Sequence, residues 1–183
     1  MAPDRIERFT LAERLLHWSN AAAILFLGLT GVLIWQDLDD WRPAGINLIS
    51  EGHFWLGGGT VVAGALLFLA LRRARVTAAA QRFNPQQTLN LRAVQLVLAE
   101  MVATGTLLHF GKVWHLTKPL RATIKQIHLM SAAFVGILVA GHLVMVLLVP
   151  KNRGLLLGMW QGAITRATAE RATPRWWQAW QKS

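Results

Sequence analysis

From Trp18 to Gln36 the chain carries no charged residue. A stretch of that length is close to the roughly 20 apolar residues that one helix needs to cross a bilayer. Three more segments follow the same pattern. One runs from His53 to Leu71 and is stopped by Arg72 and Arg73, and one runs from Ile127 to Val149 and ends at Pro150. The segment from about Leu91 to Phe110 is the least apolar, because it holds Arg92, Gln95 and Glu100. In lipid every backbone polar group has to be satisfied within the segment, so apolar runs of this length are read as helices. The expectation is an all-α integral membrane protein, a four-helix transmembrane bundle over residues 1–150, with a basic, Trp-rich tail over 151–183. Asp4, Glu7 and Glu13 interrupt the basic lead that a cleaved signal peptide would have.

The charge distribution orients the bundle. The formal net charge is +10, from 19 Lys and Arg against 9 Asp and Glu. Arg5, Arg8 and Arg14 precede the first span. Arg72, Arg73, Arg75, Arg82 and Arg92 surround the second loop, and Lys151, Arg153, Arg166, Arg171, Arg175 and Lys182 follow the last span. Only Arg42, Lys112, Lys118, Arg121 and Lys125 fall on the other side, where Asp37, Asp39, Asp40 and Glu51 also lie. Basic residues gather on the cytoplasmic side of short loops, so both termini are expected there, in a bacterial cytoplasmic membrane. The nine Trp fall near span ends or in the tail, as an interfacial belt would. Basic residues bordering hydrophobic spans argue against nucleic-acid binding. The absence of Cys excludes disulfides, thiolate zinc, a Cys-held iron–sulfur cluster and covalently attached haem in this chain.

Ionisable side chains within spans are functional candidates because burial without a partner is expensive. With the orientation above, His17 lies at the inner end of the first span and His53 at the outer end of the second. His128 lies at the outer end of the fourth span, and His142 lies towards the inside. The fourteen residues between the last two are close to four helical turns, so both rings leave one face, about 21 Å apart along the axis. Each membrane level then holds one His from the fourth helix and one from another. Two neutral imidazoles facing across a bundle suit the axial positions of a haem iron and leave it no open site, which predicts electron transfer. Gly28, Gly31, Gly57, Gly58, Gly59, Gly136 and Gly141 offer small surfaces for close helix approach. His109 and His115 read as surface residues. Glu100 reads as a hydrogen-bonded structural carboxyl, with a proton relay as the alternative.

At these residues the chain resembles a known family. The stretches RLLHWSN around His17, GHFWLGG around His53 and IHLMSAAFVGILVAGHLVM spanning His128 and His142 resemble the bacterial b561-type dihaem cytochromes. Within that group they are similar to the cytochrome b (gamma) subunit of respiratory formate dehydrogenases. The tail GLLLGMWQGAITRATAERATPRWWQAW narrows the resemblance towards that branch. The resemblance implies two haems b, with His53 and His128 on the outer one and His17 and His142 on the inner one. It implies a menaquinone or ubiquinone site beside the inner haem, contacted by His142 and by Asn84 in RFNPQQ. The family's Asn-Ala-Gly-Gln is here Asn-Pro-Gln-Gln, and the loop is much shorter. It further implies an iron–sulfur subunit and a catalytic molybdenum or tungsten subunit on the outer side. Electrons would run from them through the outer and inner haems to quinone. This chain would be the quinone-reactive subunit, with substrate catalysis in a partner. The alternatives are the cytochrome b of a hydrogenase or another molybdenum oxidoreductase, a self-standing b561 cytochrome, and a haem-free four-helix transporter or scaffold.

Overall fold

A computed structural model describes residues 4–74 and 85–182, apart from the side chains at 44, 64–74 and 85–88. Four long helices dominate it: α1 (Leu11–Trp35), α2 (Leu48–Ala74), α3 (Pro85–Phe110) and α4 (Lys118–Leu147). Among the described residues α1, α4 and the Leu89–Phe110 part of α3 are long and apolar enough to cross a membrane. They expose large apolar side chains, such as Leu25 at 65%, Met130 at 72% and Ile137 at 69%. Such surfaces are aggregation-prone in water and carry no penalty in hydrocarbon. The chain is a multi-pass membrane protein with a mostly helical fold.

Local chemistry sets the helix ends. Thr10 and Glu13 cap α1 reciprocally: the Thr10 amide donates to Glu13 Oε2 at 2.8 Å, and the Glu13 amide donates to Thr10 Oγ1 at 3.3 Å. Glu13 therefore sits near a span for a structural reason. At the other end Asp37 takes φ 55°, while the amide of Leu38 reaches back to the carbonyl of Leu33 at 2.8 Å. His115 does the same after α3, with φ 54° and Leu116 bonded to the Gly111 carbonyl at 2.9 Å. The side chain of Asn47 caps α2 by accepting from Ser50 N at 2.9 Å. The fourth helix begins at Lys118, more than two turns before the uncharged segment at Ile127. Helix propensity and the Pro119 start extend it into the connection that follows α3.

The chain divides into two compact units. The first comprises Met1–Trp18, Leu67–Leu91 and Leu138–Ser183. Its tail is a folded element rather than a loose interfacial segment. Strand β1 (Arg5–Glu7) pairs antiparallel with β2 (Ala163–Thr165), with Ile6 opposite Ile164. Around them fold α5 (Arg153–Gln161), α6 (Arg166–Ala172) and α7 (Pro174–Trp180). Ile6, Ile164, Ala169, Trp176 and Trp177 form a buried core. Trp176 and Trp177 are thus core residues and not part of an interfacial belt. The Arg8 guanidinium lies 4.1 Å over the Trp176 ring. Gly158 allows the close approach of α5 to β2, since a Cβ there would strike Ile164. The ribbon is also a small departure from an all-α fold. Two three-residue strands are too short to show the alternation that signals a strand.

The second unit comprises Ser19–Leu66 and Arg92–Ile137. Its buried residues include Ala23, Thr30, Thr104, Ile124 and Val135. Of the seven glycines expected at helix contacts, a Cβ would meet a described neighbour within 4 Å at Gly31 and Gly57, and at the other five it would meet none among the described residues.

Candidate functional site

Each unit holds one imidazole pair. In the first unit His17 on α1 and His142 on α4 have ring centres 6.1 Å apart. In the second unit His53 on α2 and His128 on α4 are 6.4 Å apart. These separations test the residues against a haem. A metal–imidazole nitrogen bond is about 2.0–2.1 Å, so a ring centre lies about 3.2 Å from the metal, and two rings across one metal stand about 6.4 Å apart. Both pairs have that spacing. Among the described residues no three His, Asp or Glu groups converge as a bare metal ion would need. Two nitrogens alone suit a metal whose remaining ligands come with it, as a porphyrin supplies four. The residues fit the group.

The outer pair has support that the sequence reading missed. Thr30 Oγ1 on α1 lies 2.8 Å from His53 Nδ1 and bonds the Phe26 carbonyl at 2.9 Å. Thr104 Oγ1 on α3 lies 2.8 Å from His128 Nδ1 and bonds the Glu100 carbonyl at 3.0 Å. A hydroxyl has one hydrogen, and a carbonyl only accepts. Each threonine therefore donates to its own helix and accepts from the Nδ1–H of the histidine. That fixes the tautomer and leaves Nε2 as the free lone pair, the arrangement that metal-bound histidines use. The residue after each threonine is glycine. A Cβ at Gly31 would lie 3.4 Å from His53 Cε1, and one at Gly105 would lie 3.5 Å from His128 Cε1. Both distances are ordinary van der Waals contacts, so each glycine borders its histidine ring and the threonine hydroxyl supplies the support, once in each helical hairpin. Its trace in the sequence is the dipeptide at 30–31 and again at 104–105.

The inner pair is held differently. His17 packs edge-on against Trp18, at 5.2 Å between ring centres, and Trp18 packs against Trp160 at 5.3 Å. The Trp18 indole N–H donates to the Met159 carbonyl at 3.3 Å, and Arg14 donates to the carbonyl of Trp160. The N-terminal end of α1 is therefore fastened to α5, and Trp18 and Trp160 pack beside the His17 ring.

Three other expectations meet the structure here. His109 is not a plain surface residue, because it stacks on Phe54 at 3.9 Å with rings 4° from parallel. Its Nε2 lies 3.9 Å from Glu51 Oε2. Among the described residues no hydrogen-bond partner reaches the buried carboxylate oxygens of Glu100, so the hydrogen bond expected of a structural carboxyl is not found there. Asn84 lies outside the described residues.

No curated protein matches this chain. A family profile described as prokaryotic cytochrome b561 matches residues 8–162. That interval contains all four candidate ligands. Its members are membrane electron-transfer proteins that bind haem b. The chain belongs to the prokaryotic cytochrome b561 family.

Proposed function

We propose that this chain is the dihaem, membrane-anchoring subunit of a formate dehydrogenase-type complex. It takes electrons from an outer iron–sulfur subunit and delivers them to quinone on the cytoplasmic side. The observation that carries the reading is the pair of imidazole couples, each across two helices and at the spacing of one metal. When bound, the haems supply one-electron chemistry, and two imidazoles on each iron leave no position for oxygen. The protein residues do the rest. His53 and His128 are the outer ligands, oriented by Thr30 and Thr104. His17 and His142 are the inner ligands. His142 and Asn84 are proposed to contact the quinone, whose reduction takes two protons with two electrons on the cytoplasmic side. The chain has no Cys, so the iron–sulfur clusters belong to another polypeptide. The tail stretch GLLLGMWQGAITRATAERATPRWWQAW, which folds here as a cap, supports the formate dehydrogenase branch by its resemblance.

A pyridine haemochrome assay on the purified complex tests the core of this. Two haems b per copy of the chain are expected, and none would refute the reading. Polypeptides co-purified from the native membrane test the partner. An iron–sulfur subunit with a molybdenum or tungsten formate dehydrogenase is expected; a hydrogenase or an unaccompanied active chain would overturn that part.

A further inference from the structure

The two outer threonine–histidine contacts share their geometry and differ in the residue four positions before each threonine. Thr30 bonds the carbonyl of Phe26, four residues back, and Thr104 bonds that of Glu100, also four residues back. Phe26 and Glu100 therefore hold equivalent stations, and only the second bears a carboxyl group. The device works without a carboxylate, since the Phe26 hairpin holds its histidine at the same 2.8 Å. Glu100 shares the α3 face of Thr104, one turn away, and Thr104 touches His128. Both carboxyl oxygens of Glu100 are buried with no hydrogen-bond partner among the described residues. A bare carboxylate in a span is costly unless a positive charge answers it. As an iron ligand through Nε2, His128 would be neutral and would not supply that charge. A porphyrin dianion around ferric iron has a net charge of +1, and reduction removes it.

Resting on the haem assignment above, we propose that Glu100 is the fixed counter-charge of the outer haem. The carboxylate stabilises the oxidised iron more than the reduced iron and so lowers the potential of the outer site. Electrons leave that site more readily as a result. Glu100 is a positioning residue for charge and not a ligand, so its effect is read in the potential and not in haem binding.

The test is a redox titration of the purified full-length chain, followed by haem absorption, in wild type, Glu100→Gln and Glu100→Asp. The outer haem is identified as the one missing from His128→Ala. In Glu100→Gln its ferric-to-ferrous ratio at fixed potential should fall about tenfold, an upward shift of about 59 mV for one electron. Glu100→Asp keeps the charge and should stay within about threefold of wild type. An unchanged outer potential in Glu100→Gln would overturn the proposal. So would an equal shift in both variants, or a shift confined to the inner haem. Loss of the outer haem from Glu100→Gln alone would assign the residue to holding the site and equally overturn it. A wild-type chain without haem would instead refute the assignment beneath the proposal.

Discussion

Replacing Thr104 by Val isolates what the hydroxyl does, because the two side chains have nearly the same shape. Thr104 is 8% exposed, so no bulk water takes the place of the lost oxygen. The Nδ1–H of His128 loses its acceptor at 2.8 Å, while the Glu100 and Met101 carbonyls keep their helical partners. A buried donor left unsatisfied costs about 1–3 kcal/mol. At 1.4 kcal/mol per tenfold, that is roughly 10- to 100-fold weaker holding of the outer haem. The range agrees with the usual effect of removing a partner behind a metal-bound histidine. Thr30→Val should cost about the same on the His53 side, and the double variant should approach the sum, since the two act on different ligands. The measurement is the rate and extent of haem transfer from the detergent-solubilised chain to excess apomyoglobin, read by absorption. The inner haem serves as the internal reference. If Thr104→Val and the double variant both lose haem at the wild-type rate, the hydroxyls do not support the ligands and the tautomer argument is wrong.

His53→Ala and His128→Ala should each lower the haemochrome yield from two haems to one per chain and leave the inner spectrum intact. Loss of both haems would refute the pairing. Gly158→Ala drives a Cβ into Ile164 and should destabilise the cap by about 1–3 kcal/mol, as overpacking does. Faster proteolysis of the tail in membranes is the readout, and a wild-type rate would contradict the packing. Thr165→Ala removes the N-cap of α6, where its side chain accepts from Thr168 N at 3.2 Å, and should cost about 1 kcal/mol in the same assay. Asn84→Ala should weaken binding of a quinone-site inhibitor while sparing the haem spectrum; unchanged affinity would remove Asn84 from the site.

The long elements and the histidine levels were legible because each rests on a strong, local signal. Uncharged runs report spans, and a fourteen-residue interval reports a shared helix face. Thr30 and Thr104 were not legible in the same way. A threonine inside a membrane helix ordinarily returns its hydroxyl to the backbone four residues earlier, and both do so. Their second role, accepting from a histidine on another helix, appears only once the two helices of each hairpin are packed together. His109 was misread for a related reason: its partners, Phe54 and Glu51, are more than 50 residues away in sequence. The cap escaped because its core joins Ile6 to Ile164, Trp176 and Trp177. Tryptophan near a span end signals an interface whether or not it also packs in a core.

The β1–β2 ribbon has a consequence for the order of assembly. Arg5 pairs with Thr165, about 160 residues later, so this contact cannot exist until nearly the whole chain has left the ribosome. Closing a flexible loop of that length would cost about 4–5 kcal/mol, and helices formed beforehand shorten the free path. The spans thus enter the bilayer before the cap closes, and the N-terminal end of α1 remains unclasped through that interval. Until then Trp18 has no Trp160 to pack against, so the surroundings of His17 are completed last.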